Sequence, residues 1–263
     1  MNATEDDPCQ PSSSSQAHLA LAKTLTLWLE GHITVVVGLI GLATNFVAIP
    51  VLCSPKLGST FNRLLVCLAV FDNVFVACCV LEACRKFYEQ PLSAAHAAHE
   101  LVFIHCLYQL QNVALTCSIY TTLAVAVERH LAVSRPVEYH IMVAAAAAPG
   151  GGGAWRRVWL YAAPTVAFSV LFNLPKFFEL GSEWQEFNAT SLGGAGAGNE
   201  TVWVVNMKPT DLRLDENYVY FYVNLARFVV MCVVPLVGLV VLNSGIHRYR
   251  EGFQFRTFNV FKK

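Results

Sequence analysis

The chain has 263 residues, and its 18 Lys and Arg balance 18 Asp and Glu, so bulk charge points to no partner and no nucleic acid is expected. Apolar residues make up 55% of it and charged residues only 14%, against about 25% in a soluble domain. The apolar residues come in long blocks, which excludes an ordinary soluble domain and predicts an all-α membrane protein.

The first 30 residues open with Glu5, Asp6 and Asp7 and carry a Ser run, and they read as an extracellular tail rather than a secretory signal. Residues 21–31 form an amphipathic lead-in. The first span is predicted at 33–53, followed by a short basic turn. The second is 64–84, the third 101–127, the fourth 158–174 (closed by Pro175) and the fifth 218–242. Between the third and fourth lies a loop with a low-complexity Ala, Pro and Gly stretch. A long polar loop fills 176–217, and a basic tail ends the chain. In domain terms this gives a tail at 1–30, a membrane domain of five helices at 31–249 and a cytoplasmic tail at 250–263.

Two arguments orient the spans. Lys and Arg exceed the acids in 54–63, 128–157 and 243–263, which the positive-inside rule places in the cytoplasm. Asn-x-Thr sequons occur at Asn2, Asn188 and Asn199, all in segments that rule places outside. The expected setting is therefore the plasma membrane, with the N-terminus outside and the C-terminus inside.

Polar groups at membrane depth need a partner or a water-lined cavity. Asn45 sits in the first span, Asp72 and Asn73 mid-depth in the second, and Glu82 near the second span's outer end. The third span holds Gln111, Asn112, Ser118, Thr121 and Thr122 and ends at Glu128 and Arg129; the fifth holds Asn224 and Arg227. At about 100° per residue, Gln111, Ser118 and Arg129 fall on one face over roughly 27 Å. Interhelical hydrogen bonding accounts for Thr121 and Thr122, but a mid-depth carboxylate such as Asp72 asks for more. The histidines are scattered through loops and helix ends, where they face water.

Four motifs resemble those of the class A (rhodopsin-like) G-protein-coupled receptors. ATNFVAIPVL holds Asn45 in the first-helix position, and LAVFDN holds Asp72. SIYTTLAVAVERHLAVSRP carries Glu128, Arg129 and His130 where the family has Asp-Arg-Tyr, and MCVVPLVGLVVLN carries Pro235. NLPKFFEL and TDLRLDENYVYFYVNLARFVV add a narrower resemblance to invertebrate FMRFamide-type neuropeptide receptors. The resemblance implies a receptor that carries an extracellular peptide signal to a heterotrimeric G protein. It implies that Arg129 pairs with Glu128 at rest, with Glu128, Arg129 and His130 forming the G-protein end. It implies that Asp72, with Asn45 and Ser118, lines a sodium cavity. Gln111, Asn112, Glu82 and Arg227 then face the ligand, and Glu82 either takes the Arg of an amidated peptide or snorkels toward Arg85 or Lys86.

Three departures accompany it. Sixth and seventh helices with their Trp-Pro and Asn-Pro-Tyr motifs do not follow, so the resemblance implies a receptor cut after the fifth helix, not signalling alone, and open to pairing with a full-length receptor. The 176–217 loop has no Cys, so Cys106 pairs with Cys9 or Cys84 or stays free. Thr165 lies near the family's usual Trp. A five-span transporter or channel subunit, with a polar path at Asp72, Ser118 and Arg129, is the other reading. No metal motif, nucleophile elbow or phosphate loop points to an enzyme.

Overall fold

The computed structural model describes residues 13–54, 59–85, 94–147, 153–188 and 201–261. Among the described residues, five helices are long and apolar enough to cross a membrane: Ala20–Leu52, Thr60–Arg85, His96–Ser134, Trp155–Phe178 and Glu216–Tyr249. The expected five-span helical bundle is what the chain forms.

The spanning helices are longer than the apolar blocks that announce them. Helix α1 covers residues 13–52, with a wide-turned segment, Leu27–Ile33, in which bonds run i→i+5. The lead-in and much of the predicted tail are therefore helix; residues 1–12 lie outside the described residues. Helix α2 is Thr60–Arg85. Helix α3 covers residues 94–134 and passes through a second wide-turned segment, Phe103–Leu107, before Tyr108–Ser134. The predicted loop after it contains helix α4, Pro136–Ala147. Pro136 starts α4 where its missing N–H is not needed, and the Ala run has high helix propensity. Helix α5 is Gly153–Phe172, followed by a 3₁₀ turn, Leu174–Phe178. Helix α6 covers residues 216–261, wide-turned at Val219–Ala226 and Val229–Val233. The predicted basic tail is its continuation.

The 176–217 segment is not an unstructured loop. Strands β1 (Leu180–Asn188) and β2 (Thr201–Pro209) pair antiparallel from Leu180↔Pro209 to Asn188↔Thr201. The aromatic and β-branched run Val202, Trp203, Val204, Val205 favours an extended chain. Val204 and Val205 are buried where β2 lies against the 94–102 segment of α3.

Helix α3 is the central element and packs against α2, α5 and α6. The chain buries polar side chains that a soluble protein would expose. Thr116, Thr121, Glu128, Ser169, Asn173 and Glu179 are buried, while Ile40, Phe46, Val47, Leu171, Val237 and Val241 point outward. That inversion suits a hydrocarbon solvent, in which outward apolar groups cost nothing and unpaired polar groups are penalised. One apolar cluster stands out: Cys78, Phe103, Ile104 and Leu107, covered by Leu180 of the hairpin. Cys84 and Cys106 are both free thiols.

Gly245 lets α6 lie against α3 at the opposite end from the hairpin. A Cβ there would stand 2.6 Å from His130 Cε1, and His130 Nδ1 lies 3.2 Å from the Leu242 carbonyl oxygen. His130, expected at the G-protein end with Glu128 and Arg129, is thus engaged with α6. Gly245→Val should push the two helices apart and destabilise the chain by about 1–3 kcal/mol, read as a lower thermal midpoint in detergent. An unchanged midpoint would show that the ring has room to move aside.

Candidate functional site

Beneath the hairpin lies a cavity of about 420 Å³, walled by α2, α3 and the segment around β2. Glu82, Gln111 and Asn112, three residues expected to face a ligand, line it together with Phe75, Tyr108 and Arg213. Gln111 Nε2 donates to Cys79 Sγ at 3.2 Å, which fixes the amide against α2. Asn112 Nδ2 donates to the Tyr108 carbonyl at 2.7 Å. Arg85 does not pair with Glu82: its Nη1 lies 2.7 Å from Glu100 Oε1, and its guanidinium stacks on Phe103 at 4.9 Å. Glu82 has no hydrogen bond or ion pair among the described residues. The Lys86 alternative lies outside them.

The cavity's roof hangs on Glu179, which is 0% exposed. Lys176 Nζ is 2.7 Å from Oε1, Tyr218 donates to the same oxygen at 2.7 Å, and Tyr108 donates to Oε2 at 2.7 Å. Arg213 Nη1 reaches Oε2 at 3.2 Å. These partners come from the 3₁₀ turn, α3, the post-hairpin turn and the start of α6. Burial pushes the Glu179 carboxyl up, but the bonds from Lys176, Tyr218 and Tyr108 outweigh it and hold the group below its ordinary value of 4.5. Sequence reasoning missed this node. It left 176–217 as loop, yet Lys176 and Glu179 stand three apart, one helical turn after Pro175.

Arg227 does not line that cavity. Its Nη2 donates to Asn112 Oδ1 at 2.9 Å and its Nη1 to Asn173 Oδ1 at 3.1 Å, while Asn173 Nδ2 donates to Thr116 Oγ1 at 2.8 Å. The cation thus ties α3, α5 and α6 from behind the ligand-facing amide of Asn112. Deeper in the bundle, Ser118 Oγ donates to Asp72 Oδ1. Among the described residues Asn45 joins neither of them. Pro235 is buried at the start of the α-helical stretch Val234–Phe261.

The predicted face of α3 is real, and what it meets is α2. Gln111 bonds Cys79, Ser118 bonds Asp72, and Arg129 stacks on Phe61 at 5.2 Å. The pairing of Arg129 with Glu128 does not occur. Adjacent helical residues diverge by about 100°, so Glu128 turns toward α4 and α5 when Arg129 turns toward α2. Glu128 is 1% exposed. It accepts from Tyr161 at 2.9 Å, Tyr139 at 3.1 Å and Arg157 Nη2 at 3.1 Å. Burial, then the neighbouring Glu128 charge, pushes the Tyr139 phenol up and keeps it a donor. Arg129 remains exposed. Of the three sequons, Asn188 ends β1; Asn2 and Asn199 lie outside the described residues.

Two outcomes follow. Because the Glu179 carboxyl is depressed, its stabilisation is complete at neutral pH and is lost as pH falls through its lowered value. Thermal unfolding in detergent at stepped pH should be flat down to the ordinary carboxylate range and fall as pH drops from there through the lowered value. Glu179→Gln should abolish that acid step and lower stability by about 3–5 kcal/mol, as expected when one partner of a buried ionic cluster is removed. At the other end, Arg157→Met should destabilise far more than Arg129→Met, since only Arg157 neutralises a buried carboxylate. Equal losses would restore the Glu128–Arg129 pairing.

No family model matches the chain. A curated relative, an FMRFamide receptor from Drosophila melanogaster, is 24% identical over 232 residues. The match covers 85% of this chain and 38% of the relative's length. The chain is thus similar, along most of its length, to part of a protein named for a peptide ligand.

Proposed function

We propose that this chain is a plasma-membrane receptor polypeptide that binds an amidated peptide at its hairpin end and meets a heterotrimeric G protein at its Arg129 end. One observation carries the reading: Glu82 is a carboxylate without a partner among the described residues, set in the wall of a cavity of about 420 Å³. A half-buried carboxylate in a cavity wall favours a cation, and a guanidinium suits it best because it bonds in a planar fork. The relative's name supplies a ligand of that chemistry, an Arg-Phe-amide peptide. Gln111 and Asn112 are the groups able to bond a terminal amide.

The excess of Lys and Arg in 128–157 and 243–263, and Asn188 on the hairpin, support an outward-facing hairpin. Exposed Arg129 and half-buried His130 then sit on the cytoplasmic side. Asp72 fits a sodium ion: it accepts one hydrogen bond, from Ser118, and has no ion pair among the described residues. Its second oxygen and the Ser118 hydroxyl are hard ligands of the type such ions take. A bound sodium ion would neutralise the mid-depth carboxylate.

The test is binding of labelled Phe-Met-Arg-Phe-amide to membranes containing the chain. Glu82→Gln should weaken binding by about tenfold or more, the loss expected when one side of a desolvated charge pair is removed. Affinity independent of Glu82 would remove the observation on which the reading stands.

A further inference from the structure

Two arginines at the Arg129 end of the bundle hold no counter-charge. Arg63 lies in the first turn of α2 and Arg156 in the first turn of α5. The two helices meet there, because the Arg63 guanidinium stacks on the Trp155 ring at 4.8 Å. Arg156 is the residue after Trp155, and their Cα atoms stand about 3.8 Å apart. The two acids of this end whose side chains are described are already taken, Glu128 by Arg157 and Glu138 by Arg135. Among the described residues neither Arg63 nor Arg156 has an ion pair, and Arg63 Nε is buried without an acceptor. Arg63 is half-buried, and it stands at the boundary of a spanning helix, where an unmatched cation is costly.

The surface that runs inward from these cations is apolar. At about 100° per residue, Trp155, Trp159, Val166 and Val170 fall within about 60° of one another on α5. All four are exposed. The stripe is about 22 Å long, more than half the thickness of a bilayer's hydrocarbon core, about 15 Å. On α2, Val70 stands two turns beyond Arg63, within about 20° of it, and is exposed as well. The face thus has cations at the membrane boundary, then two Trp rings of the kind that favour the interface, then hydrocarbon-facing valines. That is the polarity of a phospholipid in the adjoining leaflet. The face is separate from Arg129, since Phe61, on which Arg129 stacks, and Arg63 diverge by about 200° on α2.

We propose that the cleft between the first turns of α2 and α5 is a binding site for an anionic phospholipid. Arg63 and Arg156 take the negatively charged headgroup in charge-assisted hydrogen bonds. The unspent N–H groups of the first turn of α5 favour the same charge. The acyl chains lie along Trp159, Val166 and Val170. The cytoplasmic leaflet carries the anionic lipids, so the site is filled in the orientation proposed above. The lipid chemistry itself depends neither on that orientation nor on peptide binding.

The experiment places the full chain in phosphatidylcholine nanodiscs containing a small share of brominated phosphatidylserine or, in parallel, brominated phosphatidylcholine. Quenching of tryptophan fluorescence is read. Both faces of the disc carry the probe, so the result is independent of orientation. Trp155 and Trp159 report on the cleft, while Trp28, Trp184 and Trp203 lie toward the opposite end. The wild-type chain should prefer phosphatidylserine by about tenfold or more, given about fivefold for each cation at an anionic surface. Arg63→Gln and Arg156→Gln should each cut that preference about fivefold. Arg248→Gln, which removes an exposed cation of α6, should leave it in place. Equal quenching by the two lipids in the wild-type chain means annular contact only and overturns the proposal. An equal loss in all three variants means a diffuse field of the basic end and overturns it too. If Arg63→Gln does not reach the membrane, Arg156→Gln decides alone, because that side chain is exposed and unpaired among the described residues. Failure of the chain to bind Phe-Met-Arg-Phe-amide would leave this result untouched.

Discussion

The hairpin end of this molecule is organised by the penalty for leaving one carboxylate unpaired. Glu179 has no contact with solvent, and a buried carboxylate without donors would be worth several kcal/mol of destabilisation. Four side chains meet it, and they arrive from four segments of chain. Satisfying Glu179 therefore fixes where the 3₁₀ turn ends, how Tyr108 points, where Arg213 settles after β2 and how α6 enters the bundle. The cavity exists because these four agree. Hydrophobic burial adds the Cys78, Phe103, Ile104 and Leu107 cluster beneath it, but apolar contact has no direction and would not by itself set the roof's position.

The same logic recurs at the far end with a different outcome. Glu128 is also buried, and it is also met by two tyrosines and an arginine. Its partners all come from α4 and α5, so this node secures one side of α3 and leaves the other to Arg129 and Phe61. Between the two carboxylates, Arg227 is held by amide oxygens rather than by a counter-charge. These nodes, with the Gln111–Cys79 and Ser118–Asp72 bonds to α2, tie α3 to its neighbours, and the apolar surface is left to face lipid.

Much of this was legible in the sequence. The spacing of Gln111, Ser118 and Arg129 gave a common face because the helical period is geometric, and each residue found a partner on α2. Asp72 read as needing a cation, a proton or several donors, and among the described residues Ser118 supplies one donor. The span count followed from apolar block length. What sequence reasoning could not reach were partners far apart along the chain. Tyr108 and Glu179 are separated by 71 residues, and neither carries a mark of the other. The resemblance misled at Glu128 and Arg129, because neighbours in sequence point apart on a helix. The hairpin was obscured by composition, since a Gly-rich stretch sits between its two strands.

The wide turns of α6 have a geometric consequence. A turn that closes i→i+5 takes in one more residue than its neighbours, and each extra residue offsets the following helix by about 100°. Val219–Ala226 and Val229–Val233 bracket Arg227. The stretch that meets Tyr108 and Glu179 and the stretch that carries Gly245 are therefore phased independently, like two threads cut on one screw. A strict 3.6-residue repeat carried from Tyr218 to Gly245 would aim one end or the other at lipid. The irregular middle is what allows a single helix to present the correct side at both.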